Sequence, residues 1–525
     1  MPDYLFLLDS RLTPEQRAVV ARVQEASLAA GVNVYLTGGA VRDLISGQPI
    51  RDLDFTVEGS AARLARELEK DGAAGPGTGP VRVLGEDERL RHIELLFPGD
   101  LEGSVSSARN DVYSHPGAKP EIHFSSITDD LRRRDFSMNA IAISLNPASR
   151  GLLLDPTNGL ADLERREVRA MSNHSFTNQP IRLLRILRYC ARLDFKMEQR
   201  TGEWFALALE RRLHESLGGE LAGRELLQLA REEKPAAILK EWERRGLIGA
   251  LHPQLARRHP HYDGISVTIK VRESLLAAGY APGSVSRALV APMTLQVLGR
   301  LKPREQSSAL SRMEIPSRIA AAVSGLESEC ARAIKMLMGR KTTSPREAYI
   351  FLEHLPMEQL IFIQTDFSQV KALAKIKKYL QKWRPLRQAL PAAELEALGV
   401  PRGPKFDKIL ENLFDLQLNG RGRAPDDRIR LLRQLAGIKP EPKKKKEEPA
   451  AKEKGKGRKE AFAAHARAGA EEKARQAAHA QLAKESGKKA TPAKPAPARM
   501  AAAPHHKPAR AAHSKPARKP KSKKR

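Results

Sequence analysis

The sequence predicts an α+β chain: a small mixed-sheet domain first, then all-helical segments, then a disordered basic extension. Three observations carry this prediction. β-branched and alternating runs interleave with short helical stretches up to about residue 165. From about Pro180 apolar residues recur at helical spacing, with no strand series among them. From Lys439 onward Lys, Ala, Pro and Glu dominate, and so few bulky apolar residues remain that burial cannot offset the entropy of ordering. At 525 residues the chain is too long for one ordinary core, and two to four domains are expected.

The first patterned stretch, Val32 to Thr37, reads as a strand ended by Gly38 and Gly39, and a short helix follows from Ala40 to Ile45. Arg51 to Val57 alternates as a half-buried strand does. A helix over Ala61–Lys70 precedes a Gly-rich break at Gly72–Gly79. Val81–Leu84 and His92–Phe97 are further strands, and Met138–Leu145 is strand-like, although Asn139 and Ala140 could equally open a helix. Helices are expected at Ile181–Leu193, Glu203–Leu213, Arg224–Arg231 and Pro235–Arg245, and helical patterning continues to Gly437.

Lys and Arg number 91 against 62 Asp and Glu, for a net charge of +29. Residues 439–525 hold 27 basic and 8 acidic side chains, a net of +19, which leaves +10 for the preceding 438 residues. Both parts suit a polyanionic partner, since neutralising phosphates releases condensed counterions. The two cysteines, Cys190 and Cys330, form no metal-ligand spacing, which fits a reducing compartment without a disulfide scaffold. No apolar run reaches the roughly 18 residues needed to span a bilayer, and the N-terminus lacks a basic leader, so a cytoplasmic location without a membrane partner is expected.

Asp52 and Asp54 stand two apart on a strand and so share a face, while Leu53, Phe55 and Val57 point into the core. Adjacent carboxylates repel unless a cation lies between them, and Mg²⁺ favours a few carboxylates plus substrate phosphates. A pair of such ions can activate a hydroxyl and stabilise a leaving pyrophosphate. Alone, this pair would be an exposed strand face. Its neighbourhood alters that reading: Gly38 and Gly39 form a strand-to-helix turn whose backbone N–H groups can approach phosphate oxygens. Arg42, one turn into that helix, could add a charge-assisted contact.

Residues 36–59, LTGGAVRDLISGQPIRDLDFTVEG, resemble the head signature of class II tRNA nucleotidyltransferases and bacterial poly(A) polymerases, in the DNA polymerase beta superfamily. SARNDVYSHPGAKPEI (107–122) resembles the linking strand and loop, and DLRRRDFSMNAIAISL (130–145) the ribose-recognising motif. LLLDPTNGLADLERREVRAM (152–171) resembles the hinge, and FTNQPIRLLRILRYCARLDF (176–195) the nucleobase-reading helix. The stretch 390–420 is similar to the tail of the CCA-adding members.

This resemblance implies a nucleotidyltransferase head over 1–165, a helical neck over 166–255, a body over 256–389, a tail over 390–438 and the extension over 439–525. It implies that Gly38, Gly39 and Arg42 hold a triphosphate and that Asp52 and Asp54 bind two Mg²⁺ ions. It gives Arg134 and Asp135 to phosphate and ribose. Gln179, Arg182, Arg185 and Arg188 would contact base and phosphates, the three arginines fanning by about 60° per step across one helix face. ATP and CTP would be the substrates and RNA, chiefly the tRNA 3′ end, the partner; no protein partner is identifiable.

The chain departs from the family pattern in three places. The usual Glu-Asp-x-x-Arg reads Asn178, Gln179 and Arg182 here, so both acids have become amides. The usual Glu-Arg-x-x-x-Glu reads Glu220 to Glu225 without its arginine. For a third metal carboxylate the candidates are Glu94, Asp100 and Glu102, with Ser104 as the alternative occupant of the usual position. The expected activity is template-independent addition of nucleotides to an RNA 3′ end, with tRNA CCA synthesis or repair first and poly(A) polymerase second. A degenerate RNA-binding member without catalysis is the third reading.

Overall fold

The computed structural model describes residues 4–70, 79–114, 120–217, 219–422 and 424–438. Most of the Gly-rich break and the whole extension over 439–525 lie outside the described residues. The described residues belong to one compact unit, Met1–Pro440.

Two helices that the apolar pattern did not reveal, α1 (Tyr4–Arg11) and α2 (Pro14–Ala30), open the chain. Local chemistry specifies α2: Thr13 and Gln16 form a reciprocal capping box, Pro14 sits in the first turn, and Gly31 ends the helix in the left-handed region. Gln16 and Ser27 lie on its buried face, which breaks the apolar periodicity. Then follow β1 (Asn33–Thr37), α3 (Gly39–Ser46), β2 (Leu53–Glu58), α4 (Ala61–Glu69), β3 (Arg82–Asp87), β4 (His92–Phe97) and β5 (Leu101–Ser107). A hairpin of β6 (Arg109–Val112) and β7 (Glu121–Phe124) leads to α5 (Ile127–Arg132), β8 (Ala142–Ser144), β9 (Leu153–Leu154) and α6 (Gly159–Arg165). The ambiguous stretch from Met138 resolves into a 3₁₀ turn, Ser137–Asn139, followed by the short β8.

The sheet runs β3-β4-β5-β2-β1-β8-β9, with β2 and β5 parallel and the other pairs antiparallel. Val34, Leu36, Phe55 and Val57 join Val23 of α2 and Leu64 and Leu68 of α4 in one apolar core. Truncating a buried ring such as Phe55 to alanine costs about 3–5 kcal/mol. That burial fixes which face of β2 carries its polar residues. The parallel register sets Asp54 opposite Ser104 of β5.

β10 (Glu167–Val168), α7 (Ser175–Asn178), α8 (Arg182–Leu193), β11 (Lys196–Met197), α9 (Gln199–Glu210), α10 (Gly219–Gln228) and α11 (Pro235–Arg244) form the next region. It is not wholly helical: β10 and β11 pair in parallel, a two-residue ladder too short to leave a sequence pattern. After α12 (Leu255–Arg258), α13 (Tyr262–Ala277) and α14 (Pro282–Leu298), the chain stays helical to Ala436. Leu395, Phe406, Ile409, Leu413, Leu431 and Leu432 make a separate small core near its end. Among the described residues no helix is long and apolar enough to cross a membrane.

Candidate active site

Gly38 adopts φ +66° and ψ −130°, a conformation L side chains rarely take, and a Cβ there would lie 2.8 Å from Nη1 of Arg134. Its own N–H donates to the Ile141 carbonyl, so the N–H groups left to face a ligand are those of Gly39 and the first turn of α3. Arg134 closes the other side. It donates to Asp130 at 2.9 Å, to Thr56 Oγ1 at 3.1 Å and to the Asn139 carbonyl at 3.2 Å. The turn, β2 and the Arg134 segment thus meet at one point.

Arg42 is placed differently from its expected phosphate contact. Its guanidinium is 1% exposed, bound to Asp43 Oδ1 at 2.7–2.8 Å and to Asn139 Oδ1 at 2.7 Å, beside the Tyr189 ring. Asp43 also accepts from Arg192 at 3.0 Å. Arg42 therefore braces the turn from behind, sealed by the carboxylate that follows it in sequence.

Asp54 and Asp52 lie at the head of β2. Asp54 Oδ1 accepts the Ser104 hydroxyl at 2.8 Å, so a serine stands where a third acid was sought. Glu102 turns instead to two arginines, Arg231 and Arg287, and Asp100 also binds Arg287. Arg231 donates to Asp52 Oδ2 at 2.7 Å and to Glu102. Burial raises the Asp52 carboxyl above its ordinary range; Arg231 opposes that rise and Asp54 adds to it. Among the described residues no group of three or more His, Cys, Asp or Glu could hold a metal, so the pair itself is the candidate. Hard carboxylate oxygens, with a cationic guanidinium already drawn to one of them, fit a divalent ion that takes its remaining ligands from phosphate and water.

The arginines of α8 were expected to fan across a face toward ligand or solvent. Two of them are locked inward instead. Arg188 binds Glu225 at 2.8 Å and Glu232 at 2.9 Å; Arg185 binds Glu225 at 2.8 Å and Asp135 at 3.2 Å. Glu225 is held below the ordinary glutamate range: burial pushes it up, but Arg188 and Arg185 outweigh burial. Asp135 is likewise lowered, Arg185 and Arg182 outweighing its burial, and its Oδ1 accepts from the Phe136 N–H and the Asn139 amide. Both its oxygens are thus engaged within the protein.

Arg182 lines a cavity of about 310 Å³ with Tyr113, Arg133, Met171, Ser175 and Asn178. It donates from Nε to Gln179 Oε1 and from Nη2 to the Arg133 carbonyl, both at 3.1 Å. The Gln179 amide nitrogen donates to the Tyr113 hydroxyl. Burial lowers the Arg182 pKa, with Asp135 opposing.

Residues 34–169 match the family described as Poly A polymerase head domain. An A-adding tRNA nucleotidyltransferase of Geobacter sulfurreducens is 26% identical over 407 residues, covering 77% of this chain and 45% of that protein. One from Halalkalibacterium halodurans is 35% identical over 246 residues, 45% of this chain and 54% of that protein. A CCA-adding enzyme of Marinobacter nauticus is 30% identical over 277 residues, 49% of this chain and 68% of that protein. The chain belongs to the class II tRNA nucleotidyltransferase family. It spans about half the length of the two A-adding relatives.

In this family member the fold brings Gly38, Gly39, Asp52, Asp54 and Arg134 to one place and Arg182 to the wall of a neighbouring cavity, with Gln179 hydrogen-bonded to Arg182. It withdraws Arg42 and Arg188 into buried ion pairs. Sequence reasoning missed Arg231, Glu232, Asp130, Asn139 and Tyr113. Asp130 and Asn139 flank the Arg134-Asp135 pair and were legible as neighbours. Arg231 carried no signal beyond one basic residue at the end of a helix.

Proposed function

We propose that this chain adds nucleotides to the 3′ end of tRNA, completing or repairing its CCA terminus in the cytoplasm. The observation that carries this reading is the convergence of Asp52 and Asp54 with the Gly38–Gly39 turn and Arg134, beside the cavity lined by Arg182. The two curated A-adding relatives and the CCA-adding relative support tRNA as the RNA. We assign residues 1–165 to the catalytic head and 166–255, 256–389 and 390–438 to neck, body and tail.

In the reaction the RNA 3′-hydroxyl oxygen forms a bond to the α-phosphorus of ATP or CTP. The bond from that phosphorus to the β-phosphate bridging oxygen breaks, pyrophosphate leaves, and the hydroxyl proton passes to solvent. Two Mg²⁺ ions, when bound at Asp52 and Asp54, supply activation of the hydroxyl and charge neutralisation at the leaving group. The N–H groups at the start of α3 and the Arg134 guanidinium orient the triphosphate. Arg182, its Nε and Nη2 held by Gln179 and the Arg133 carbonyl, lines the cavity that would take the base. Asp135 and Arg185 hold the ribose side of the cleft rigid rather than meeting ligand with free valences.

The test supplies each triphosphate with Mg²⁺ to tRNA lacking its last one or three nucleotides and to an unstructured oligonucleotide. Addition that stops after the missing residues on tRNA is the expected outcome. A long adenosine ladder on either RNA would replace this reading with polyadenylation. No addition at all would leave an RNA-binding member without catalysis.

A further inference from the structure

We propose that Arg231 occupies the metal site as a resident cation, is exchanged for a divalent ion, and thereby clasps the helical region to the head until metal binds. This rests on the reading that Asp52 and Asp54 are metal ligands. Arg231 ends the 3₁₀ turn Leu229–Arg231 that follows α10, outside the head. Its Nη1 sits 2.7 Å from Asp52 Oδ2, and its Nη2 binds Glu102 of β5. The contact is built rather than incidental. Arg51, next to Asp52, donates to the Arg231 carbonyl at 2.7 Å and reaches Glu232 at 3.5 Å. A second arginine from the helical region, Arg287 of α14, grips Asp100 and, at 2.8 Å, Glu102, and Ser284 also binds Asp100.

A divalent ion bound through Asp52 Oδ2 needs the oxygen that Arg231 holds, and two cations at hydrogen-bond distance from one oxygen repel strongly. One must leave. With Ser104 where a third carboxylate would compete for the ion, Glu102 remains with the arginines and steadies Arg231 in the metal's place. The competition is reciprocal: the factor by which the clasp weakens metal binding equals the factor by which metal weakens the clasp. A salt bridge of purely structural value would leave both quantities unchanged when cut.

The test uses the full chain without nucleotide. Mn²⁺ binding is followed by electron paramagnetic resonance in wild type, Arg231→Ala, Arg231→Lys and Arg287→Ala, and amide exchange over 226–234 is measured with and without Mg²⁺. Arg231→Ala should bind Mn²⁺ tighter by on the order of tenfold, the effect of freeing a competent state populated at about one part in ten. Arg231→Lys should return toward wild type. Arg287→Ala, which removes contacts to Glu102, Asp100 and Ser284 and none to Asp52, should shift affinity the same way by less, and serves if Arg231→Ala does not fold. Mg²⁺ should speed exchange over 226–234 in wild type and leave Arg231→Ala unaffected. Unchanged or weaker Mn²⁺ binding in both alanine variants, or no Mg²⁺ effect on wild-type exchange, overturns the proposal. Asp52→Asn separates the two layers: if it does not weaken Mn²⁺ binding, the metal-site reading itself falls.

Discussion

Asp52 and Asp54 stand two residues apart yet live in different surroundings. Asp54 has a neutral donor, Ser104, on Oδ1, whereas Asp52 carries the Arg231 guanidinium and is pushed up by burial. Replacing either with alanine should lower transfer by at least about 10²–10³-fold, the cost of losing one preorganised electrostatic partner. RNA binding by filter retention should stay near wild type; turnover within a few-fold of wild type would remove both from the metal site. Gln179 gives a second expectation. Its carbonyl already accepts from Arg182 and its N–H₂ donates to Tyr113, so it has less acceptor capacity left for a base amino group than an acceptor-only aspartate would. Cytosine and adenine present an amino donor beside a ring acceptor, and uracil and guanine reverse that order. The double variant Asn178→Glu, Gln179→Asp should therefore sharpen ATP and CTP over UTP and GTP by about 1–2 kcal/mol. Single-nucleotide incorporation with all four triphosphates measures this, and equal discrimination in both proteins would give base reading to another residue. At this scale the sequence was legible where chemistry follows from spacing, as for Asp52 and Asp54. It was silent on Tyr113, which reaches Gln179 only through folding across 66 positions.

At the scale of elements, α8 shows why residue type and period do not settle orientation. Three arginines at every third position suggested a basic face, but a helix face is defined by what packs on it, and α10 brings Glu225 there. The strand pattern of β2 was readable because its buried apolar residues, Leu53, Phe55 and Val57, alternate with polar ones; α2 was not, because its identity lies in caps and in buried polar side chains. Glu225 has lost its solvent and is satisfied by two guanidinium groups. Glu225→Gln should destabilise the protein by about 3 kcal/mol, as removing one partner of a buried ion pair does, read from urea unfolding at pH 7. The sign of the pH dependence follows from the lowered carboxyl. Glu225 contributes fully above its ordinary unfolded value of about 4.3, and that contribution fades as pH falls through the lower folded value. Asp135 adds in the same direction. Acid unfolding of Glu225→Gln should consequently show a shallower loss of stability below pH 4.3 than wild type; parallel limbs would show that the carboxylate does not carry this linkage.

At the scale of the whole molecule, charge is divided between a body of net +10 and an extension of net +19, and the two should act on RNA in different ways. The body holds many of its arginines in ion pairs, Arg42, Arg134, Arg185, Arg188 and Arg231 among them, so its contribution to phosphate binding is smaller than its arginine count suggests. The extension has 27 basic side chains against 8 acidic ones and lies outside the described residues. Each phosphate neutralised in single-stranded nucleic acid steepens the fall of log affinity with log salt by about 0.7, and in a duplex by about 0.9. Contacts of this kind hold RNA without reading its sequence. Removing residues 439–525 should therefore weaken tRNA binding most at low salt and flatten the salt slope by several units. Turnover at saturating RNA should change little, because Asp52, Asp54 and the Gly38–Gly39 turn belong to Met1–Pro440. Fluorescence anisotropy of labelled tRNA across a salt series separates these effects. An unchanged slope would mean that the body supplies the phosphate contacts, and the paired arginines would then have to open on binding.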